Sequence, residues 1–467
     1  MAADRHHTIN AFQSLNDTKN LMHYIRLLRP PSLERNNNLK LIITITTDLG
    51  DSFLQAEQPL PITVHARHLE REGPHWTKHT VRIDDGSLKW RSGLRVLKLD
   101  LRIPDPVLRK LRVGEDENSA PSIRIIASPN NSELPDIAEI PFDTEGRILG
   151  LSVPLPRPEK ETCFTATREF STLINGVERT LSIDEEIGES IDRHVWDAGV
   201  VTTGLLSDIC KPANEGKWRE TPLLRGILSS ANPERPLNVI ELGCGVGILG
   251  IGLAAALSPQ YESEAQNTSF HEEGDDHSEN GTLNSPTNTV CKSGDFGSIL
   301  LTDLPDAEEL TKKNIIQYRE GQWEIGSRKS PLEFESLDWE DGKNGVFGPK
   351  ANATEWGLII ISDCTYNVDM LPALVETLSA LHRSSVSLAK AGPKVMLATK
   401  PRHSSEKALF ELMAASGWNI QESASQPLPS LGLEDERVEI YLFGKDLEQD
   451  NVARSPHFST AKRRKMA

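Results

Sequence analysis

The run Val239-Ile240-Glu241-Leu242-Gly243-Cys244-Gly245-Val246-Gly247 sets a carboxylate two residues ahead of a glycine-rich turn. An apolar strand, the turn and a helix predicted over 248–257 make the opening of a nucleotide-binding α/β unit. Glycines let the backbone turn sharply and let a ligand approach without a Cβ in the way. The helix start supplies unpaired N–H groups. A literal G-x-G-x-x-G is present at Gly245, Gly247 and Gly250, so a dinucleotide is the competing ligand. Glu241 argues against it, because a carboxylate aimed into the turn repels a pyrophosphate. It suits a ligand that carries positive charge, such as S-adenosylmethionine with its ammonium and sulfonium.

Other residues of the same chemistry follow at strand ends. Asp303 closes the predicted strand 298–302, where a carboxylate can accept hydrogen bonds from both hydroxyls of an adenosyl ribose. The bland alternative is an N-cap for the helix predicted over 307–318. In Ser336-Leu337-Asp338-Trp339 the tryptophan offers a flat apolar face to an adenine, or packs in the core. The nearly all-apolar run 356–362 reads as a strand buried on both faces. Asp363 and Tyr366 stand just past it, at the carboxyl end where open α/β sheets bind ligands.

These residues need a scaffold. From Asn238 onward the order strand, helix, strand, helix argues a parallel sheet with helices on both faces. The stretch 393–399 reads as its fifth strand, 405–416 as a helix closed by Gly417, and 437–443 as the last strand. A helix is predicted over 195–209, and the acidic stretch 183–196 is helix-compatible. Residues 258–297, rich in Ser, Asn, Glu, Asp and Gly, cannot bury enough surface to order and read as a disordered insertion. That insertion separates Asp303 from the glycines by more than the usual spacing.

Ahead of this unit, 39–47, 61–66, 79–83, 96–102 and 122–127 are β-branched or alternating, which suggests a small β-sandwich or barrel. No reactive constellation is visible there. His65, His68, His75 and His79 invite a metal reading, but no acid or cysteine completes a zinc spacing, so no metal is expected. The proline-rich stretch 154–158 marks a joint. The expected organisation is a β-rich domain over 1–153, a linker over 154–163, an α/β domain over 164–447 and a flexible tail over 448–467.

From about Phe164 to Lys445 the chain resembles the seven-β-strand methyltransferases, in particular the family 16 group of protein-lysine methyltransferases. The resemblance rests on Val195-Trp196-Asp197-Ala198-Gly199, the Glu241 to Gly247 turn, Leu301-Thr302-Asp303, Leu337-Asp338-Trp339 and Ser362-Asp363-Cys364-Thr365-Tyr366. It implies a Rossmann-like seven-stranded sheet with its last strand antiparallel. It implies S-adenosylmethionine as cofactor, held by Trp196, Glu241, Gly243, Cys244, Gly245, Asp303 and Trp339, with Ser362 lining the pocket. Asp363 and Tyr366 would form an Asp-x-x-Tyr signature associated with the substrate amine. The implied partner is a protein carrying a target lysine, such as an elongation factor or a chaperone. The insertion and the β-rich N-terminal region depart from the smallest members of the group.

Composition agrees with a reduced intracellular protein. The five cysteines, Cys163, Cys210, Cys244, Cys291 and Cys364, are scattered without a CxxC pair. No apolar run is long enough to span a membrane, and residues 1–20 have no apolar signal core. A net charge of −17 disfavours nucleic acid as a partner and suits a lysine-bearing protein. The expectations are a cytoplasmic monomer, also nuclear if the basic cluster 462–465 is an import signal. Two alternatives stand beside the lysine reading: a small-molecule N-methyltransferase, and a non-catalytic interaction protein that keeps the fold.

Overall fold

In the computed structural model the described residues are 22–56, 58–72, 75–112, 121–127, 134–142, 147–156, 163–174, 177–188, 193–211, 216–230, 236–257, 296–322, 332–389, 392–428 and 436–445. The body of the expected insertion and the expected tail lie outside them.

The N-terminal strands are β1 (Met22–Leu27), β2 (Ser32–Leu33), β3 (Asn38–Thr46), β4 (Leu60–Glu72), β5 (His75–Arg82), β6 (Lys89–Trp90), β7 (Leu97–Arg102), β8 (Ser122–Ala127), β9 (Arg147–Leu149) and β10 (Leu151–Pro154), with one helix, α1 (Asp105–Arg112). One sheet runs β2-β3-β1-β9 with β7 beside β3. Period-two alternation puts Leu39, Leu41, Ile43 and Ile45 of β3 on one buried face. They share an apolar core with Ile62, Val64, Ile123, Ile125 and Val153 of a second sheet, so the expected β-sandwich is present. His68 and His79 are a cross-strand pair with stacked rings 5.1 Å apart. The histidines form no metal-holding group among the described residues.

The sandwich does not stop at the proline-rich stretch. Two long strands, β11 (Thr165–Ile174) and β12 (Val177–Glu186), form an antiparallel hairpin that extends the second sheet in the order β12-β11-β10-β8-β4-β5. The boundary expected over 154–163 therefore falls within a sheet. The stretch 183–196, read as helix-compatible, instead begins as strand, because Leu181 and Ile183 turn one face into a core while their neighbours pair with β11. That core is continuous with Val195, Val200, Leu205 and the apolar residues beneath the glycine turn. Buried Arg168 fastens the join: its guanidinium donates to Glu185 and to the carbonyls of Ile25, Leu149 and Gly150. The two parts are welded rather than linked.

The α/β part contains α2 (Asp197–Ile209), α3 (Pro222–Ser229), β13 (Leu237–Leu242), α4 (Ile248–Ala256), β14 (Phe296–Asp303), α5 (Glu308–Gln322), β15 (Leu332–Ser336), α6 (Trp339–Gly342), α7 (Pro349–Ala353), β16 (Leu358–Ser362), α8 (Leu371–Ala389), β17 (Lys394–Thr399), α9 (Ala408–Ala415), β18 (Trp418–Pro427) and β19 (Arg437–Lys445). The strands make one seven-stranded sheet in the order β15-β14-β13-β16-β17-β19-β18. The first five are parallel; β19 runs antiparallel to β17, as expected. Strand β18 was not foreseen, since its exposed polar alternation carries little apolar signal. One face of the sheet packs under α2, α4 and α5, the other under α8 and α9. Helix α4 is buried nearly throughout because α2 lies over it. The approach is so close that a Cβ on Gly252 would stand 2.1 Å from Thr203 Cγ2. Among the described residues no helix is long and apolar enough to cross a membrane.

Candidate active site

At the carboxyl ends of β13, β14 and β16 lies a cavity of about 670 Å³. The strand order reverses at β13, which leaves a crevice there between the loops. All ten residues expected at the site line it: Trp196, Glu241, Gly243, Cys244, Gly245, Asp303, Trp339, Ser362, Asp363 and Tyr366.

The glycine turn forms the floor. Gly243, Gly245 and Gly247 have φ of 66°, 53° and 83°, a region that side-chain-bearing residues rarely occupy. A Cβ on Gly243 would lie 2.4 Å from Cys364 Sγ and 3.3 Å from Trp339 Cζ2, so the cavity is kept open there by hydrogen alone. Helix α5 braces the turn from behind: Thr311 donates its hydroxyl to the Gly245 carbonyl at 2.6 Å, and Asn314 its amide to Val246 at 2.9 Å. The same Asn314 pairs with both backbone groups of Asp184, tying the turn to β12.

Glu241 is buried and accepts one hydrogen bond, from Gly250 N–H in the first turn of α4 at 2.9 Å. Burial pushes its pKa up to about 8; the Gly250 N–H pulls the other way, and nearby Asp303 adds to the rise. At neutral pH this site therefore holds a protonated acid that a cationic ligand would ionise. Asp303 accepts from Gly245 N–H at 2.7 Å and Leu304 N–H at 2.7 Å, so the acid of the second strand fixes the turn of the first. Asp338 caps α6 by accepting from Glu340 N–H, and this sets Trp339 at the cavity wall. The hydroxyl oxygen of Ser362 is buried with no hydrogen-bond partner among the described residues.

Asp363 has a different task from the expected one. Its oxygens accept from Ala198 N–H (3.1 Å), Lys400 N–H (3.1 Å) and Arg402 Nη1 (3.0 Å), with Arg402 Nη2 at 3.4 Å. A carboxylate offers about four lone-pair directions, and these donors use them. Asp363 therefore caps the start of α2 and anchors the exit of β17, and the expected direct grip on a substrate amine is not what its contacts provide. Its left-handed φ of 53° is held by this same set of bonds. Tyr366, three residues on, is 58% exposed at the cavity mouth.

A buried ionic cluster lies behind Asp363. Lys400 Nζ is 2.8 Å from Asp197 and 3.4 Å from Asp48; Arg402 Nη2 is 2.6 Å from Asp48. Tyr24 donates to Asp197 at 2.7 Å. Burial and the neighbouring Asp48 push the Asp197 pKa up to about 7, against the pull of Lys400. Burial opposes the charge on Arg402, but Asp363 and Asp48 outweigh it and keep the guanidinium ionised. Arg402 also lies over the Trp196 ring, 5.2 Å from its centroid. Sequence reasoning missed Asp48, Leu49, Lys400 and Arg402. The last two follow the fifth strand directly, a position that could have drawn attention. Asp48 carries no such signal, because it comes from the other domain.

The residues fit S-adenosylmethionine: a buried hydroxyl without a partner, a glycine cradle that a Cβ would fill, an acid waiting for a cation and an aromatic wall. Sheet order and site together define the class, an S-adenosylmethionine-dependent methyltransferase with a Rossmann-like seven-stranded sheet. Residues 176–266 and 290–416 match the family model described as lysine methyltransferase. A curated relative, a UPF0665 family protein of Schizosaccharomyces pombe, is 24% identical over 406 residues, covering 85% of this chain and 93% of its own. A match of that length runs beyond the α/β part into the β-domain. Among solved structures, M. jannaschii TYW2 in complex with AdoMet is similar at 9% identity and a TM-score of 0.28, covering 63% of this chain and 91% of that one. A putative RNA methyltransferase from Pyrococcus horikoshii is similar at 11% identity and a TM-score of 0.27, covering 52% and 98%.

Proposed function

We propose that this methyltransferase transfers its methyl group to the side-chain amine of a lysine in another protein. The observation that carries this reading is the mouth of the cavity. Leu49, Leu304 and Tyr366 are apolar or aromatic and about half exposed, and they line the cavity together with Asp338 and with Glu340, whose carboxylate pairs with Lys343. An open rim of this kind suits a lysine presented on a protein surface: apolar sides for its methylenes and acids for its ammonium. A closed apolar pocket would suit a small amine instead. The family's description as lysine methyltransferase supports the same choice.

When bound, S-adenosylmethionine supplies a methyl group on a sulfonium, a good leaving group, so the protein has chiefly to align the nucleophile. Glu241 would answer the donor's positive charge, Asp303 the ribose and Trp339 the adenine. Ser362 would offer its buried hydroxyl to the same ligand. A lysine attacks only as the free amine, whose unperturbed pKa is about 10.4; the acids at the mouth would hold the ammonium, and desolvation deeper in the cavity would lower its pKa. Tyr366 would close over the amine, while Asp363 keeps its loop in place from behind.

The test is incubation of the purified protein with tritiated S-adenosylmethionine and a cell lysate, followed by mass spectrometry of labelled bands. Methyl-lysine in a discrete protein supports the reading. Label confined to the low-mass fraction overturns it in favour of a small-molecule acceptor.

A further inference from the structure

The β-domain reaches into the site by one turn, residues 47–52, and how that turn is built points to its use. Thr47 N–H donates to Ser52 O at 3.0 Å, Gly50 N–H to Thr47 O at 3.1 Å and the Thr47 hydroxyl to Asp51 at 2.8 Å. Gly50 takes φ 76°, and Thr46 bridges to Phe53 across the base. The tip is therefore fixed in its own sheet before it meets anything else. Asp48 then plugs it into the α/β part. Its carboxylate meets Arg402 and Lys400, its carbonyl accepts from Arg26 at 2.7 Å, and its Oδ1 accepts from Leu49 N–H at 2.9 Å. A buried acid whose two cationic partners belong to the other domain fixes position to within a hydrogen bond's tolerance.

What this anchoring positions is Leu49. It is 50% exposed, yet it lines the cavity together with Tyr366 and Asn367. A firmly anchored, half-exposed apolar side chain that lines the same cavity as a half-exposed aromatic one can grip a chain of methylenes.

We propose that Leu49 is a specificity-determining residue of the methyl-transfer site, a wall supplied by the β-domain against which the methylene stem of the incoming lysine packs. Asp48 is the positioning residue that holds it there through Arg402. This deepens the lysine reading given above and rests on it.

The experiment compares the full-length parent with Leu49→Ala, Leu49→Lys and Leu49→Met. Tritium incorporation from S-adenosylmethionine is followed against increasing lysate protein, and donor Kd is measured separately by calorimetry. The exposure of Leu49 leaves the fold intact in all three, checked by melting temperature. Expected is an apparent KM for lysate protein raised about threefold in Leu49→Ala, at least tenfold in Leu49→Lys, where like charge meets the acceptor, and near the parent's in Leu49→Met. Donor Kd stays within threefold throughout. An unchanged apparent KM in Leu49→Lys, with the parent labelling protein, overturns the proposal and leaves the lysine reading standing. Label in the parent confined to small molecules overturns both.

Discussion

Glu241→Gln should stabilise the unliganded protein, and by an amount that grows with pH. Glu241 lies buried with one hydrogen bond and a pKa of about 8, whereas in an unfolded chain a glutamate titrates near 4.3. Between those values the folded state keeps a proton that the unfolded state has lost, so stability falls as pH rises through the window. At about 1.4 kcal/mol per unit of displacement, the penalty is about 1 kcal/mol at pH 5 and about 5 kcal/mol at pH 8. Glutamine is isosteric, does not titrate, and its carbonyl oxygen can still accept from Gly250 N–H. The variant should thus gain on the parent by about those amounts, read from denaturant unfolding of both proteins at pH 5 and pH 8. The same substitution should weaken donor binding at least tenfold at pH 8, since an amide cannot answer a positive charge. In the parent, donor binding at pH 7 should release close to one proton, visible as a dependence of calorimetric heat on buffer ionisation. Equal stability differences at both pH values would show that Glu241 is already ionised, and the argument for its role would fail.

Gly243→Val combines a strained φ with a Cβ driven into Cys364 Sγ, and calorimetry should find no donor binding in it at concentrations that saturate the parent. Asp363→Ala strands two backbone N–H groups and leaves the buried Arg402 guanidinium with Asp48 as its remaining carboxylate, so its chief effect should be a loss of about 3 kcal/mol in stability, read by denaturant titration. A melting temperature equal to the parent's, with turnover alone lost, would return Asp363 to a direct chemical role. A chain beginning at Phe164 loses β10 beside β11, Asp48 beside Arg402 and Tyr24 beside Asp197. It should melt at least about 10 °C below the full chain and bind donor more weakly; parity in both would mean that the two parts are independent after all.

The glycine turn, the strand-end acids and the fold class were legible because they are local: each needs only a few neighbouring residues to announce a strand, a turn or a helix start. The positions of Asp303 and Trp339 followed from the same logic, applied at the carboxyl ends of successive strands, whereas Trp196, the residue ahead of α2, was marked only by the family resemblance. The hairpin of β11 and β12 was not legible, because its partner β10 lies across a proline-rich stretch that reads as a break. Arg168 reads as a surface residue until Glu185 and three carbonyls are seen around it. Asp363 stood in the right place, but its partners, Ala198, Lys400 and Arg402, come from elements that only the fold brings together. No sequence window contains both Asp48 and the cations it meets.

That last separation has a consequence for how the protein comes into being. Asp48 and Arg402 are 354 residues apart in the chain, yet they share a hydrogen bond at the wall of the site. A ribosome adding roughly 5 to 20 residues per second would release the β-sandwich tens of seconds before its partner cations emerge. During that interval an acid destined for burial waits in water, and the donor cavity lacks one wall. The contacts that complete this wall of the site therefore wait for the C-terminal part of the chain, and a translation product that stops short of Arg402 lacks them.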